Sequence, residues 1–304
     1  MGDFISKFQT PVFNICVGIL EEESMFNLDD LKIVKSILSS KNFIDLNPIV
    51  IEADPFLFVK DDTLYLFYEE QRGNKGKGIL KMTSTQDLKT WTTDVVILEE
   101  LFHLSYPNVF EYDGRIYMMP ESGHNNDIRL YEMAEDLQSC RFVKSLIEGA
   151  NFVDSTIFRH DNVNYLFTSV YKGNNQYEAR IYIGDDNLDN WHQHPQSPFS
   201  TDNGDARCGG SIMNDGRTFY RIAQDCSGNY GGGLNAYSID ELSPVSYKET
   251  FSCKLMPSRI YRNGGHQFSI VKFRDKQIVT VDYLSKSIFI RDIVARLCYK
   301  LTKK

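Results

Sequence analysis

The stretch Ala53-Asp-Pro-Phe-Leu-Phe-Val-Lys-Asp-Asp-Thr-Leu-Tyr-Leu-Phe-Tyr-Glu-Glu70 decides the fold. An acidic residue opens a β-rich run, Asp61-Asp62 supplies a turn, and a second aromatic-rich run follows. The same design returns four times: SYPNVFEYDGRIYMMPES from Ser105, FVDSTIFRHDNVNYLFTS from Phe152, CGGSIMNDGRTFYRIAQD from Cys208 and HQFSIVKFRDKQIVTVDY from His266. Units spaced roughly 45–60 residues apart, each too small to bury its own core, have the period of propeller blades. The repeat therefore predicts an all-β, five-bladed β-propeller over residues 1–285. Such a ring gathers the first strand of every blade around one axis, so residues distant in sequence meet in one central pocket.

Outside the repeat, the strand predicted at 12–18 has no hairpin partner next to it and is expected to complete the last blade, leaving no open edge. Asn27 to Leu38 has apolar residues at helical spacing, with Asn27 as cap, and predicts a short helix. An Asp-Leu turn recurs in the outer half of most units, twice leading to a tryptophan, in Thr85–Trp91, Ala134–Leu137, Asp186–Trp191 and Ile239–Leu242. It is read as a structural closure of the outer hairpin. Residues 286–304 have apolar positions at helical spacing and carry six Lys/Arg against the single acid Asp292. They predict a basic amphipathic C-terminal helix, suited to an anionic membrane surface, to a membrane-bound transferase, or to packing against the ring.

The formal net charge of −8 argues against nucleic acid as a partner. Aromatic residues make up 13%, with 17 Tyr and 20 Phe, which suits strands and sugar-stacking surfaces. No apolar run reaches spanning length and no leader segment is evident, so a cytoplasmic protein, peripheral at the inner face of the membrane, is expected. Six cysteines without a CxxC pair fit free thiols; a Cys208–Cys226 bridge is the one pairing open, and zinc is not expected.

Pocket residues should lie at the starts of the inner strands. Those positions are Asp54, Tyr106 with His103, Asp154, Arg207 and His266, with Glu69, Glu70, Arg72, Glu121, Gln224, Asp225 and Arg262 within reach of the rim. Carboxylates converging from different blades suit acid/base work on a glycosidic bond, so Asp54, Asp154 and Glu121 are the candidate catalytic groups. Asp54-Pro55 is equally a common turn, and Glu121 equally a loop acid. Arg207, before Cys208-Gly-Gly, suits a phosphate or carboxylate, or else a salt bridge to Asp205. The glycine-rich loop Gln224–Gly233 is not a nucleotide fingerprint and is expected to bring Gln224, Asp225 and Tyr230 to the pocket. His103, Tyr106, Arg262 and His266 complete the expected substrate contacts, with Tyr106 and Tyr230 stacking on a sugar.

These motifs resemble two related groups. ADPFLF…LYLFYEE with the rim turn is similar to the propellers of the arabinanase, levansucrase and invertase superfamily. The remaining four units more closely resemble the propeller at the N-terminus of plant glucosamine inositolphosphorylceramide transferases, over roughly residues 8 to 285. The first resemblance implies Asp54 as hydrolytic base and Asp154 as modulator of the acid's pKa. It would place a glutamate acid where this chain has Asp205-Ala-Arg207, and an arginine cannot protonate a leaving group. The second implies work in cell-surface polysaccharide or glycolipid assembly, with a separate transferase domain that these 304 residues are expected to lack. No cofactor is expected; the calcium or sodium of some such propellers leaves a divalent ion on the axis open. The expectation is a carbohydrate-active propeller acting on a sugar, sugar nucleotide or lipid-linked glycan, with a glycoside hydrolase and a non-catalytic glycan-binding scaffold as alternatives.

Overall fold

A computed structural model describes residues 9–21, 25–73 and 76–295, and it is a five-bladed β-propeller. Strands β1 (Gln9–Leu20) and β2 (Lys32–Ile37) open the chain. The first blade is β3 (Ile49–Lys60), β4 (Thr63–Arg72), β5 (Gly78–Thr85) and β6 (Val95–Leu98). The second is β7 (Ser105–Tyr112), β8 (Arg115–Glu121), β9 (Asp127–Met133) and β10 (Cys140–Glu148). The third is β11 (Phe152–His160), β12 (Val163–Gly173), β13 (Gln176–Gly184) and β14 (Trp191–Gln193). In the fourth the inner strand is broken into β15 (Arg207–Cys208) and β16 (Met213–Asn214), both paired to β17 (Phe219–Asp225), with β18 (Gly233–Leu242) and β19 (Tyr247–Met256) outside. The fifth sheet runs β2-β1-β21-β20, where β20 is Phe268–Phe273 and β21 is Lys276–Ile288. The N-terminal strand thus closes the ring in register, from Gln9 opposite Ile288 to Leu20 opposite Gln277.

Two expectations are corrected. Only Leu28–Asp30 of the helix proposed after Asn27 is helical, as one 3-10 turn, and β2 replaces the rest. The Asn27 side chain bonds Asp30 and not the backbone, while Ile33, Ser36 and Ile37 find ladder partners on β1. Lys286, Ser287 and Ile288, assigned to the tail, are the last residues of β21, and helix begins only at 290. Residues 296–304 lie outside the described part. Among the described residues no helix is long and apolar enough to cross a membrane. Cys208 and Cys226 are both free thiols.

Local chemistry explains the repeat. Every turn between a first and second strand lies at the end of the ring away from the strand starts, and each holds an aspartate: Asp61, Asp113, Asp161, Asp215 and Asp275. Asp61, Asp113 and Asp161 adopt positive φ, as tight hairpin turns demand. In the rim turns Leu88, Leu137 and Leu188 also take positive φ and bury their side chains, while Asp87 accepts the Lys89 and Thr90 N–H groups. Neighbouring blades interleave. Phe56 and Phe67 of the first meet Tyr106 and Met118 of the second and Tyr165 and Phe167 of the third in one buried cluster. Burying each such ring contributes about 2–3 kcal/mol.

Candidate functional site

Three inner strands share one irregularity. The register slips between Ala53 and Phe56, Ser105 and Asn108, and Val153 and Thr156. At each slip the second residue has positive φ: Asp54 (51°), Tyr106 (47°) and Asp154 (52°). A non-glycine residue held there costs about 1–3 kcal/mol, and such strain collects at sites where geometry is over-determined. Each bulge turns the following strand relative to its partner and re-aims the side chain at the slip. For Asp54 and Asp154 that places the carboxylate at the axis. Tyr106 differs: its ring is buried against Phe56 and its hydroxyl pairs with Thr156, so it does not stack on a sugar as expected. Its contribution to the site is its N–H, donated to Asp54 Oδ2 at 3.1 Å.

The second strands supply a matching ring. Glu69 stands opposite Ala53, Glu121 opposite Ser105, Ser169 opposite Val153 and Gln224 opposite Arg207, and Asp282 donates its N–H to the Gln267 carbonyl. One polar side chain per blade therefore occurs at one level. Asp282, missed in the sequence, is the next-to-last residue of the fifth repeat, the place held by Glu69, Glu121 and Gln224 in theirs; that alignment was the available signal.

Arg207 organises one half of the cluster. Its Nε pairs with Asp154 Oδ2, Nη1 donates to Tyr177 Oη at 3.1 Å, and Nη2 lies 3.5 Å from Glu121 Oε2. The guanidinium sits 5.1 Å from the Tyr177 ring centroid and 5.0 Å from that of Tyr230. Gln224 donates to Asp154 Oδ2 at 2.8 Å and to the Cys208 carbonyl at 2.6 Å. The alternative pairing of Arg207 with Asp205 does not occur, because the Asp205 carboxylate accepts from Ser200.

His266 organises the other half. Nδ1 lies 2.5 Å from Asp282 Oδ2 and 3.5 Å from Asp54 Oδ1, without the alignment of a hydrogen bond. Asp282 Oδ1 accepts the His266 and Gln267 N–H groups and its Oδ2 accepts that of Asp54. Phe13, from the closing strand, stacks on the imidazole at 4.3 Å, and Tyr230 meets it edge-on at 5.1 Å. Tyr230, 41% exposed as a residue, borders the cup with Arg207 over its ring. His103 borders the cup with Nδ1 accepting the Gly78 N–H at 2.8 Å and Nε2 3.5 Å from Glu69 Oε1.

Three expected members lie elsewhere or act differently. Glu70 alternates with Glu69 and points away, to Arg72 and Lys81. Asp225 accepts from Ser227 in its own loop and lies 3.8 Å from Lys254. Arg262 is exposed and donates to the Arg259 carbonyl.

Five carboxyl groups against one arginine make the cup acid-rich, and burial decides how it is charged. Burial, reinforced by neighbouring carboxylates, pushes Glu69 and Glu121 well above the usual carboxylate range, with Arg207 pulling the other way on Glu121. Burial also raises Asp54, to about 6, against the pull of His266. For His266 burial opposes charging, but Asp282 and Asp54 outweigh it and raise its pKa. His103 is lowered to about 4 by burial, with His124 and Arg207 adding to it, and stays neutral. A metal has a partial donor set here: atoms of Asp54, His266 and Asp282 lie within 4.8 Å of one another. Calcium takes six to eight oxygens, and these carboxylates are already committed to backbone N–H groups, so the residues present do not build a calcium cage.

Known proteins match at two levels. Residues 33–281 match the family model described as glucosamine inositolphosphorylceramide transferase 1, N-terminal. The chain is 35% identical over 203 residues to glucosamine inositolphosphorylceramide transferase 1 of Oryza sativa subsp. japonica, covering 65% of this chain and 27% of that protein. It is 36% identical over 245 residues to the protein of the same name in Arabidopsis thaliana, covering 76% and 31%. The chain thus spans under a third of these curated relatives. Among solved structures, a thermostable family-43 glycoside hydrolase superposes with a TM-score of 0.58 at 14% identity, over 77% of this chain and 89% of that one, a likeness of fold.

Proposed function

The chain belongs to the glucosamine inositolphosphorylceramide transferase 1 N-terminal family, and on that premise we propose a carbohydrate-active propeller whose axial cup receives a sugar, free or as part of a sugar nucleotide or lipid-linked glycan, in glycolipid or surface-polysaccharide assembly. The observation that carries this reading is the ring of second-strand side chains, Glu69, Glu121, Gln224 and Asp282, closed around Asp54, Asp154 and Arg207. Clustered carboxyl groups bind hydroxyls, protonated ones as donors and ionised ones as acceptors, and the partly exposed Tyr230 at the rim suits a sugar ring. The excess of carboxyls disfavours a phosphate deep in the cup. Arg207 is already committed to Asp154 and Glu121, so a phosphate belongs outside, towards Arg262. The free thiols suit a reducing, cytoplasmic compartment, and peripheral membrane association is part of the same proposal.

A hydrolase is the second reading, favoured by Glu121, whose pKa burial and neighbouring carboxylates raise, and opposed by the arginine that pairs with Asp154. A thermal-shift series of wild type and Asp54→Asn against sugar nucleotides, phosphorylated sugars and neutral oligosaccharides separates them, since a ligand bound only by the folded chain raises Tm. A shift with a sugar nucleotide that Asp54→Asn weakens supports the proposal. Release of reducing sugar from an oligosaccharide, lost in the variant, would replace it with hydrolysis. No shift with any of the panel would sink both.

A further inference from the structure

The two ends of the ring differ sharply. Strands within each blade are antiparallel, so the segments linking one blade to the next lie at the end where inner strands begin, the end of the axial cup. There, exposed apolar side chains stand in separate connections: Phe43, Ile44 and Leu46 before β3, Leu101 before β7, and Val294 in the helix after β21. Leu46 is 74% exposed and Leu101 97%. The opposite end carries the five aspartate hairpin turns, and Val245 and, at the start of β2, Ile33 are exposed apolar residues there.

The apolar tips are held in place. The turn at 42–47 is fixed by Asn42 and Asp45 side chains, and the Phe43 carbonyl accepts the Ile290 N–H at 2.8 Å. Phe289 is fully buried with Val12 and Val50, and Thr10 donates to Asp292 at 2.5 Å. Ile290 and Val294, four apart, share one helix face. Turn and helix together crown the wall made by β3 and β21, which rises six residues, roughly 20 Å of strand, beyond Asp282.

Charge follows the same division. Arg262 is exposed at the cup end, Arg72 lies there paired with Glu70 at 2.9 Å, and the nine residues after Ala295 include Arg296, Lys300, Lys303 and Lys304 and no acid. At this end Glu99 pairs with Lys77 at 3.0 Å and Glu100 with Tyr131 at 2.9 Å, while Glu148 and Asp202 are exposed. The chain is acidic as a whole, and its last nine residues are basic.

We propose that the cup end docks on an anionic lipid bilayer, with Phe43, Ile44 and Leu46 inserted among the headgroups and the basic tail drawn to the surface. Apolar tips with basic residues beside them are what interfacial binding requires, each contributing where the other is too weak alone. Only the corollary, that a lipid-borne sugar headgroup enters the cup from the membrane, rests on the carbohydrate reading above.

The test is cosedimentation with phosphatidylcholine vesicles with and without phosphatidylserine. Wild type should bind the anionic vesicles, and Phe43→Ser/Ile44→Ser/Leu46→Ser should partition about tenfold less, with Val245→Ser unchanged. An Ile44→Trp probe should shift to the blue and be quenched by brominated acyl chains. These positions are exposed, so the variants should keep the wild-type Tm. Absence of wild-type binding, or a triple variant that binds equally well, overturns the proposal. So does a wild-type dimer in solution that the triple variant dissociates, which would assign the tips to a second copy. Carbohydrate-induced thermal shifts in the triple variant report on the cup separately, so failure of one reading is distinguishable from failure of the other.

Discussion

Arg207 and Asp154, 53 positions apart on the inner strands of adjacent blades, close a buried ion pair at the axis of the ring. Removing one partner of such a pair strands the other charge in a low-dielectric site. Arg207→Ala should therefore lower stability by about 3–5 kcal/mol, measured by urea or thermal unfolding. Arg207→Lys should recover only part, because an ammonium cannot reach Asp154, Tyr177 and Glu121 together. Asp154→Asn combined with Arg207→Met should lose less than Arg207→Ala alone. An Arg207→Ala protein as stable as wild type would show that the pair does not hold the axis.

Glu52 gives the ring a pH dependence of unusual sign. Its carboxyl is buried and its Oε2 has no partner; burial first, then Glu70, raise its pKa from 4.5 to about 8. The folded chain therefore holds a proton that the unfolded chain releases across that window. On this account stability is greatest below pH 4.5 and declines as pH rises to about 8, by up to about 1.4 kcal/mol per pH unit. His266 also loses stabilisation as pH rises through its raised pKa, so wild type alone cannot isolate Glu52. The difference between wild type and Glu52→Gln can. The variant should match wild type near pH 5 and exceed it by about 1–3 kcal/mol at pH 8.5. A difference that does not grow with pH would mean Glu52 is ionised in the folded chain.

Arg221 is fully buried and bonds Glu249 through two parallel contacts of 2.7 and 2.6 Å, the Asp205 carbonyl at 2.9 Å, and the faces of Phe199 and Tyr237. A planar fork is needed for all of these at once. Arg221→Lys should cost about 2–3 kcal/mol in unfolding experiments and leave carbohydrate-induced thermal shifts intact, since the axial cup lies outside this pair. Loss of the shifts with unchanged stability would instead make Arg221 part of the cup.

The repeat was legible because turn chemistry and aromatic alternation act locally: Asp61, Asp113 and Asp161 sit where hairpins must turn, whatever the rest of the chain does. So was the closure by the N-terminal strand, which had no other partner. The cup was legible in part. Asp54, Asp154, Arg207, Glu121, Gln224 and His266 meet there because repeat position dictates axial level. Tyr106 failed because the bulge that aims Asp54 at the axis delivers an aromatic to the core in the next blade, where Phe56 and Thr156 receive it. Arg262 and Asp225 failed for a different reason. Both lie in irregular connections, where a loop's own hydrogen bonds and not the pleat set direction. Tyr177 and Phe13 reach the cup from third strands, which no repeat rule points inward.

Gly210 joins the fourth blade to the fifth. Its φ is +151°, and an added Cβ would lie 2.1 Å from the Phe268 carbonyl oxygen, backbone that cannot swing aside. Next to it, the Gly209 carbonyl accepts the Phe268 N–H at 2.8 Å, one of the bonds that tie the two blades at the axis. Gly114, in the turn of the second blade, has φ +71° but open space around it. The pair separates conformational strain from collision. Gly114→Ala should lose about 1 kcal/mol from backbone strain alone. Gly210→Ala adds a collision that only a shift of β20 can relieve, and that shift would pull His266 from Asp282 and Asp54. It should lose about 3 kcal/mol or more and, in whatever folded protein remains, weaken carbohydrate-induced thermal shifts, while Gly114→Ala leaves them at wild-type size. Equal losses in the two variants would mean that the fourth and fifth blades can part at Gly210 without disturbing the cup.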